Sequence, residues 1–348
     1  MDRAWRVRPH CCVRLMHADV RQIWGIYDDS TAFGPKPGVS RMSPRVGVVV
    51  PCKDEVTTIR ICLQSLRAQV PAIDTIIVID NGSTDGSREL AESLADQVVD
   101  LPGVAISTLR NTGAAMLGDV DVIGFVDADC EVASGWLAAG LRGLDDVDMV
   151  GSRTLAEVDA PWVAARWAAI EKQRAHHESF LWSQHLLVKR TTFEQLNGFD
   201  EAMPTGEDAD LSARLRQAGG SISLREDMVV RHHGFPKTLR RFVRRERWHT
   251  STPGWFGRMA PKSRALVVLA TAWVGVGVVA AGASVAGSSR PLVAWGVASA
   301  LALPAVGMTA GSSPRHSVQD GVLMGIWSLV RAGRLGHEIP RSLRTDNG

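Results

Sequence analysis

Hydrophobic positions between residues 45 and 151 alternate between two patterns. Residues 46–50, VGVVV, form a continuous apolar run, as a strand buried on both faces requires. Ile59, Cys62, Leu63 and Leu66 then recur at three-to-four spacing, which predicts a helix with one apolar face. Residues 75–79 give a second buried strand ending in Asp80-Asn81-Gly82, and the helix after it carries Leu90 and Leu94. An extended stretch is expected over 98–107, a strand over 122–126, a helix over 136–144 and a strand over 147–150. Strands alternating with helices predict an α/β fold, a mostly parallel sheet with flanking helices. Such sheets bind ligands at the carboxyl ends of their strands, where the polar clusters of this chain fall.

The second half is less regular. A helix is expected over 161–174, a strand over 186–189, and a helix bearing Leu211, Leu215 and Ala218 that stops at Gly219-Gly220. A strand over 228–231 leads to His232 and His233, and a basic helix covers 237–248. Residues 265–287 then run 23 positions without a charge, and 291–311 run 21. Each exceeds the ~20 residues needed to cross a hydrocarbon core. With only Ser288-Ser289-Arg290 between them they predict a tight transmembrane hairpin, rich in the Gly and Ala that suit close helix packing. Basic residues flank both outer ends, so the positive-inside tendency predicts a multi-pass protein of the cytoplasmic membrane with its larger half in the cytoplasm. Residues 321–330 are too short to span and are expected at the interface.

Composition changes this picture in three places. A length of 348 residues suggests about two domains. The formal net charge of +2 argues against nucleic acid as a partner. Yet residues 231–264 hold ten Lys and Arg against the single acidic Glu246, a block suited to anionic lipid or an anionic ligand. The five cysteines, Cys11, Cys12, Cys52, Cys62 and Cys130, form no CxxC pair, so neither a disulfide framework nor a zinc site is expected, even with His10 and His17 flanking the first two. Residues 1–41 are basic and lack the apolar core of a secretory signal. The expected division is an unassigned extension (1–43), an α/β domain (44–235), a basic juxtamembrane helix (236–264), the hairpin (265–311) and a cytoplasmic tail (312–348).

Candidate chemistry begins at Asp127-Ala128-Asp129, where the strand over 122–126 ends. Residues two apart on a strand share a side, so the two carboxylates can face one crevice and share a hard cation such as Mg²⁺ or Mn²⁺. An ordinary acidic strand-to-loop turn fits the same three residues. Five further motifs stand around the pair: VGVVVPCKDE (46–55), TIIVIDNGSTDG (75–86), RNTGA (110–114), NGFDE (197–201) and GEDADLSAR (206–214). In this order and spacing, over about 44–250, the chain resembles the family 2 glycosyltransferases, which have the GT-A nucleotide-sugar-binding fold.

The resemblance implies an inverting enzyme that uses a nucleoside-diphosphate sugar with Mg²⁺ or Mn²⁺. It implies that Pro51, Asp54 and Glu55 line the nucleoside pocket, that Asp80 and Asn81 read base and ribose, and that Arg110 joins Asp127 on the donor side. Asn81 stands where an aspartate is common; its amide can accept from a uracil N–H but also offers a donor, so uridine leads as the base. Asp208 of the acidic motif is implied as the catalytic base, with Glu207 beside the acceptor. Thr205 and Asp208 also have capping-box spacing, a purely structural alternative. Asp127 and Asp129 are implied as metal ligands, with His233 as a third. RRERW (244–248) loosely resembles the QxxRW of processive synthases, giving Arg247 a donor phosphate and Trp248 an acceptor sugar; Arg244 in place of the glutamine argues against processivity. A lipid-linked or envelope glycan acceptor follows from the membrane segments. A sugar-nucleotide pyrophosphorylase would need a Gly-rich basic loop after the first strand, where this chain has PCKDEVTT; a non-catalytic scaffold would not need Asp127, Asp129 and Asp208 intact.

Overall fold

A computed structural model describes residues 43–174, 180–252, 255–259, 261–285, 290–309 and 315–335. The expectations for residues 1–41, Cys11, Cys12 and the 286–289 connection fall outside them. The apolar runs become the centre of one sheet. Strands β1 (Val46–Cys52), β2 (Thr75–Asp80), β3 (Gln97–Asp100) and β4 (Val122–Val126) are parallel, and β8 (His185–Lys189) joins β4 antiparallel. With β6 (Met149–Gly151) and β9 (Ile222–Leu224) the order is β3-β2-β1-β4-β8-β6-β9. A smaller sheet holds β5 (Cys130–Val132), β10 (Val230–His232) and β7 (Thr154–Leu155). Because β2 and β4 lie on opposite sides of β1, the connections leave a crevice at the carboxyl ends of β1 and β4, the topological switch point of the sheet.

Helices cover both faces. On one side α1 (Ile59–Arg67) buries Ile59, Cys62, Leu63 and Leu66, and α2 (Ser87–Glu92) and α4 (Trp136–Leu144) pack beside it. On the other, α3 (Ile106–Met116) occupies part of what the sequence reads as extended over 98–107. Gly113 sets how closely it packs: a Cβ there would stand 2.4 Å from Val49, so the missing side chain lets α3 lie flat on β1 and β2. Helices α6 (Arg190–Gln195) and α7 (Glu207–Gln217) complete this side.

A third core gathers residues from distant segments of the chain. Trp167 and Ile170 of α5 (Trp162–Arg174), Phe242 of α8 (Leu239–His249), Trp255 of α9 (Trp255–Arg258), and Leu323, Met324 and Trp327 of α12 (Ser317–Ala332) bury one another. The packing therefore runs across the divisions drawn at 235, 264 and 311. The segment expected at the membrane interface is held on the protein by two ion pairs: Arg166 to Asp320 (2.8 and 2.7 Å), with Asp320 fully buried, and Arg331 to Glu246.

Between α9 and α12 lie α10 (Pro261–Val285) and α11 (Arg290–Thr309). Among the described residues one helix, Ser263–Val285, is long and apolar enough to cross a membrane. Val274, Val276, Val278 and Val279 on it are exposed. Helix α11 packs against it: Trp273 and Trp295 stack at 6.3 Å, and Trp273 Nε1–H donates to Ser299 Oγ at 2.9 Å.

Candidate active site

Two cavities meet at the switch point. One, of about 500 Å³, is lined by Pro51, Glu55 and Asn81 and reaches Asp127 and Asp129. The other, of about 430 Å³, holds Glu207 and Asp208 and extends toward the apolar helices. Asp127, Asp129, Ile106 and Trp248 belong to both. Trp248 is half exposed over this junction, between the two spaces.

Arg110 joins the two halves. It projects from α3 one turn before Gly113 and is fully buried. One guanidinium nitrogen donates to Asp127 Oδ1 and the other to Glu207 Oε1, each at 2.6 Å. Burial disfavours its charge, but Asp127 and Glu207 outweigh that and hold the guanidinium pKa above its ordinary value. Ser183 Oγ–H also donates to Glu207 at 3.2 Å. Glu207 is thus committed to holding Arg110, which leaves Asp208 as the acid with available lone pairs.

Asp208 is not a cap. The N-cap of α7 is Gly206, and no side chain caps that helix. Thr205 turns the other way: its N–H donates to Thr252 Oγ1 at 2.9 Å and its hydroxyl to the His249 carbonyl at 3.3 Å. This ties the start of α7 to the end of α8 and leaves the Asp208 carboxylate in the cleft. Burial first, then the neighbouring Glu207, push its pKa up to about 7, where a general base works best.

The metal candidates divide differently from expectation. His232, not His233, meets Asp129, with Nε2 3.1 Å from Oδ2. His233 turns to Glu131 (3.1 Å) and Glu157 (3.5 Å). The register of β10 on β5 pairs His232 with Cys130, beside which Asp129 also lies, and leaves His233 on the other face, that of Arg231 and its partner Glu131. Burial opposes protonation of His232, but Asp129 outweighs it and holds the imidazole pKa above its ordinary value. Burial likewise opposes ionisation of Asp129, yet His232 keeps its pKa low, whereas burial and Asp129 keep that of Asp127 high despite Arg110.

The donor set fits a divalent cation. Two cis ligands about 2.1 Å from an octahedral ion stand about 3 Å apart, as Asp129 and His232 do. Carboxylate and imidazole suit Mn²⁺. Gly234 keeps the space open, since a Cβ there would lie 1.8 Å from Asp129 Oδ2. Cys130 is close, but burial pushes its thiol well above the ordinary range, so it stays protonated.

Other expected site residues take structural work. Asp80 is buried and accepts from Ser83 N–H (2.8 Å) and Oγ–H (2.5 Å), closing the turn after β2. Asp54 accepts from Thr84 N–H at 2.9 Å and does not line the cavity. Asn81 lines it, but its oxygen accepts from Gly103 N–H (2.6 Å) and its amide donates to Val104 (3.2 Å), fixing the wall. Burial and the Asp129 charge push Glu55 up to about 7. Arg247 is exposed and outside both cavities, while Arg245, paired with Glu171 at 3.1 Å, lines the second. Among the tryptophans, Trp182 lines the cleft, Trp167 is core and Trp162 is exposed. Sequence reasoning missed His249, Trp255, Trp327, Arg331 and Gly234; only GlyPhe after HisHis offered a local cue.

Comparison with known proteins accords with this arrangement. Residues 47–189 match the family described as Glycosyl transferase family 2. Over 267 residues the chain is 26% identical to the Pre-mycofactocin glycosyltransferase of Mycobacterium tuberculosis, covering 71% of this chain and 55% of that protein. Glycosyltransferase AglE of Haloferax volcanii is 24% identical over 208 residues, 56% of this chain and 68% of its own. The chain thus spans about half the length of the first relative. Mannosyltransferase PcManGT from Pyrobaculum calidifontis, solved in complex with GDP-Man and Mn2+, superposes with a TM-score of 0.58 at 20% identity, covering 92% of this chain and 97% of that one, a likeness of fold. Residues 47–189 thus match the family 2 glycosyltransferase model, and the fold is the GT-A arrangement of sheet and helices.

Proposed function

We propose that the chain is a membrane-attached, inverting glycosyltransferase that moves a sugar from a nucleoside-diphosphate sugar to a hydroxyl of a lipid-linked or envelope glycan acceptor. The observation that carries this reading is the Arg110 bridge, which sets Asp127 on the donor side and Glu207 on the acceptor side within one buried contact, next to Asp208. The donor nucleoside fits the cavity lined by Pro51, Glu55 and Asn81. UDP-sugars lead as donors from the IDNGSTDG motif; the GDP-Man bound by the archaeal structure makes GDP-sugars the first alternative.

Asp208 accepts the proton of the acceptor hydroxyl, whose oxygen attacks the anomeric carbon from the side opposite the leaving diphosphate. Arg110 holds both Asp127 and Glu207 in place, which leaves Asp208 to receive the proton. A divalent cation bound by Asp129, His232 and Asp127 would supply charge neutralisation for the departing diphosphate. Trp248 closes the junction over the reacting sugar and limits entry of water. Helix Ser263–Val285, with α11 as a second crossing, attaches the domain to the cytoplasmic face.

A thermal-shift screen of the purified chain with Mn²⁺ and UDP-, GDP- or dTDP-sugars tests the donor assignment. One sugar nucleotide should raise Tm only with the metal present, and the rise should vanish in Asp127→Ala. Stabilisation by none of them contradicts the donor reading.

A further inference from the structure

The acceptor-side cavity continues past Asp208, and its far wall comes from segments the transfer step does not use. Met259 and Ser263 line it, and Ser263 is the residue at which the apolar span begins. The cavity thus runs from the base to the membrane end of the domain. Trp255 and Trp327 wall it with aromatic surface, and both are buried. Two guanidinium groups enter it, Arg245 from α8 and Arg331 from α12. Each is aimed by a carboxylate, Arg245 by Glu171 and Arg331 by the buried Glu246, and Arg331 lies 4.2 Å from the Trp327 ring.

We propose that this end of the cavity is a phosphate subsite: the acceptor is a membrane amphiphile with a phosphorylated headgroup, its phosphate held between Arg245 and Arg331 and its hydroxyl at Asp208. This rests on the transferase reading above and names the chemical class of its acceptor. Planar guanidinium forks already fixed in orientation lose little entropy on gripping a phosphate, and they match its oxygens in pairs. The Arg166–Asp320 pair fixes α12, so the segment that follows the apolar helices returns to supply the residue that reads the acceptor. An amphiphile lying in the bilayer would reach this subsite without leaving it.

The test is titration of the full chain in nanodiscs of neutral lipid with hexadecyl phosphate, hexadecanol and inorganic phosphate. Hexadecyl phosphate should bind about tenfold or more tighter than hexadecanol, the difference that a charge-assisted contact supplies. Arg245→Gln and Arg331→Gln should each erase that preference, and Arg331→Lys should keep part of it. If Arg331→Gln fails to fold because Glu246 is left alone, the double change Glu246→Gln with Arg331→Gln removes both charges and is read the same way. Equal affinity for the phosphate and the alcohol, or a preference that survives the glutamine variants, overturns the proposal. Inorganic phosphate binding as tightly as hexadecyl phosphate overturns its amphiphile half. Donor hydrolysis by the wild-type chain, which needs no acceptor, separates the two readings. Hydrolysis without a phosphate preference removes the subsite alone, and absence of hydrolysis removes the transferase reading.

Discussion

The donor and acceptor sides of the cleft are built in opposite ways. The donor wall comes mostly from residues 51–129, with the loops after β1, β2 and β4 spaced by neighbouring strands, and is completed by Glu201, Ala202, Pro204 and Trp248. The acceptor wall is gathered from α5, α7, α8, α9 and α12, and spans residues 171–331. Arg110 ties the first to the second through a buried side chain that pairs with both Asp127 and Glu207. Local strand ends therefore fix donor chemistry, while packing between distant helices fixes what the acceptor meets.

The largest effects should come from breaking the tie. Removing one partner from a buried ion pair costs about 3–5 kcal/mol, because the other charges stay buried and alone. Arg110→Met strands both Asp127 and Glu207, and should lower Tm by about 10 °C. Donor hydrolysis should fall with it. If melting and hydrolysis are unchanged, the two halves are held by something other than Arg110.

Asp208→Asn should cut turnover about 10²–10⁴-fold, the usual contribution of a general base. Stability should move the other way. A carboxyl whose folded pKa is raised from about 3.9 to about 7 favours the folded state when protonated. That contribution is complete below about pH 4 and is lost as pH rises through 7. The asparagine variant should therefore match wild type near pH 4 and melt higher at pH 8, by up to about 10 °C, since about three pKa units correspond to about 4 kcal/mol. Equal melting at pH 8 would show that Asp208 is not the strained acid of this cleft.

Two comparisons sharpen the division further. His232→Ala should weaken Mn²⁺ binding about tenfold or more by calorimetry, whereas His233→Ala, facing Glu131 and Glu157, should change it less than about twofold. The reverse result would return the ligand role to His233. Asp320→Asn, remote from both cavities, should loosen α12 and lower transfer to an acceptor by several-fold while leaving donor hydrolysis in place. Equal losses in both assays would mean that the acceptor wall is not a separate unit.

The same division governs what the sequence can say. Strands β1, β2 and β4 are unbroken apolar runs, and the residues that end them, Pro51, Asn81 and Asp127, do line the donor cavity. Asp80 and Asn81 show the limit: adjacent residues point to opposite faces of a strand end, and Asp80 turns inward to hold Ser83. His232 and His233 repeat it, because only the pairing of β10 with β5 decides which histidine meets Asp129. Strands β5, β7 and β9 have two or three residues each, too short for any period to appear. In RRERW, helical spacing offers Arg245 and Arg247 alike, and burial of Phe242 and Glu246 turns the first to the cleft and the second to solvent. Trp327 and Arg331 were beyond reach, since they enter the site through an interface with α5 and α8 formed by residues 80 or more positions away.

The central claim is that Asp208 takes the acceptor proton while Asp127, Asp129 and His232 hold the leaving group. Its most direct test is the pH profile of Mn²⁺-dependent donor hydrolysis, with water as acceptor, for wild type and Asp208→Asn. Wild-type activity should rise with pH and bend near pH 7, and the variant should be about 10²–10⁴-fold slower and lack that bend. An Asp208→Asn enzyme that hydrolyses donor at the wild-type rate, with the same profile, would contradict the account.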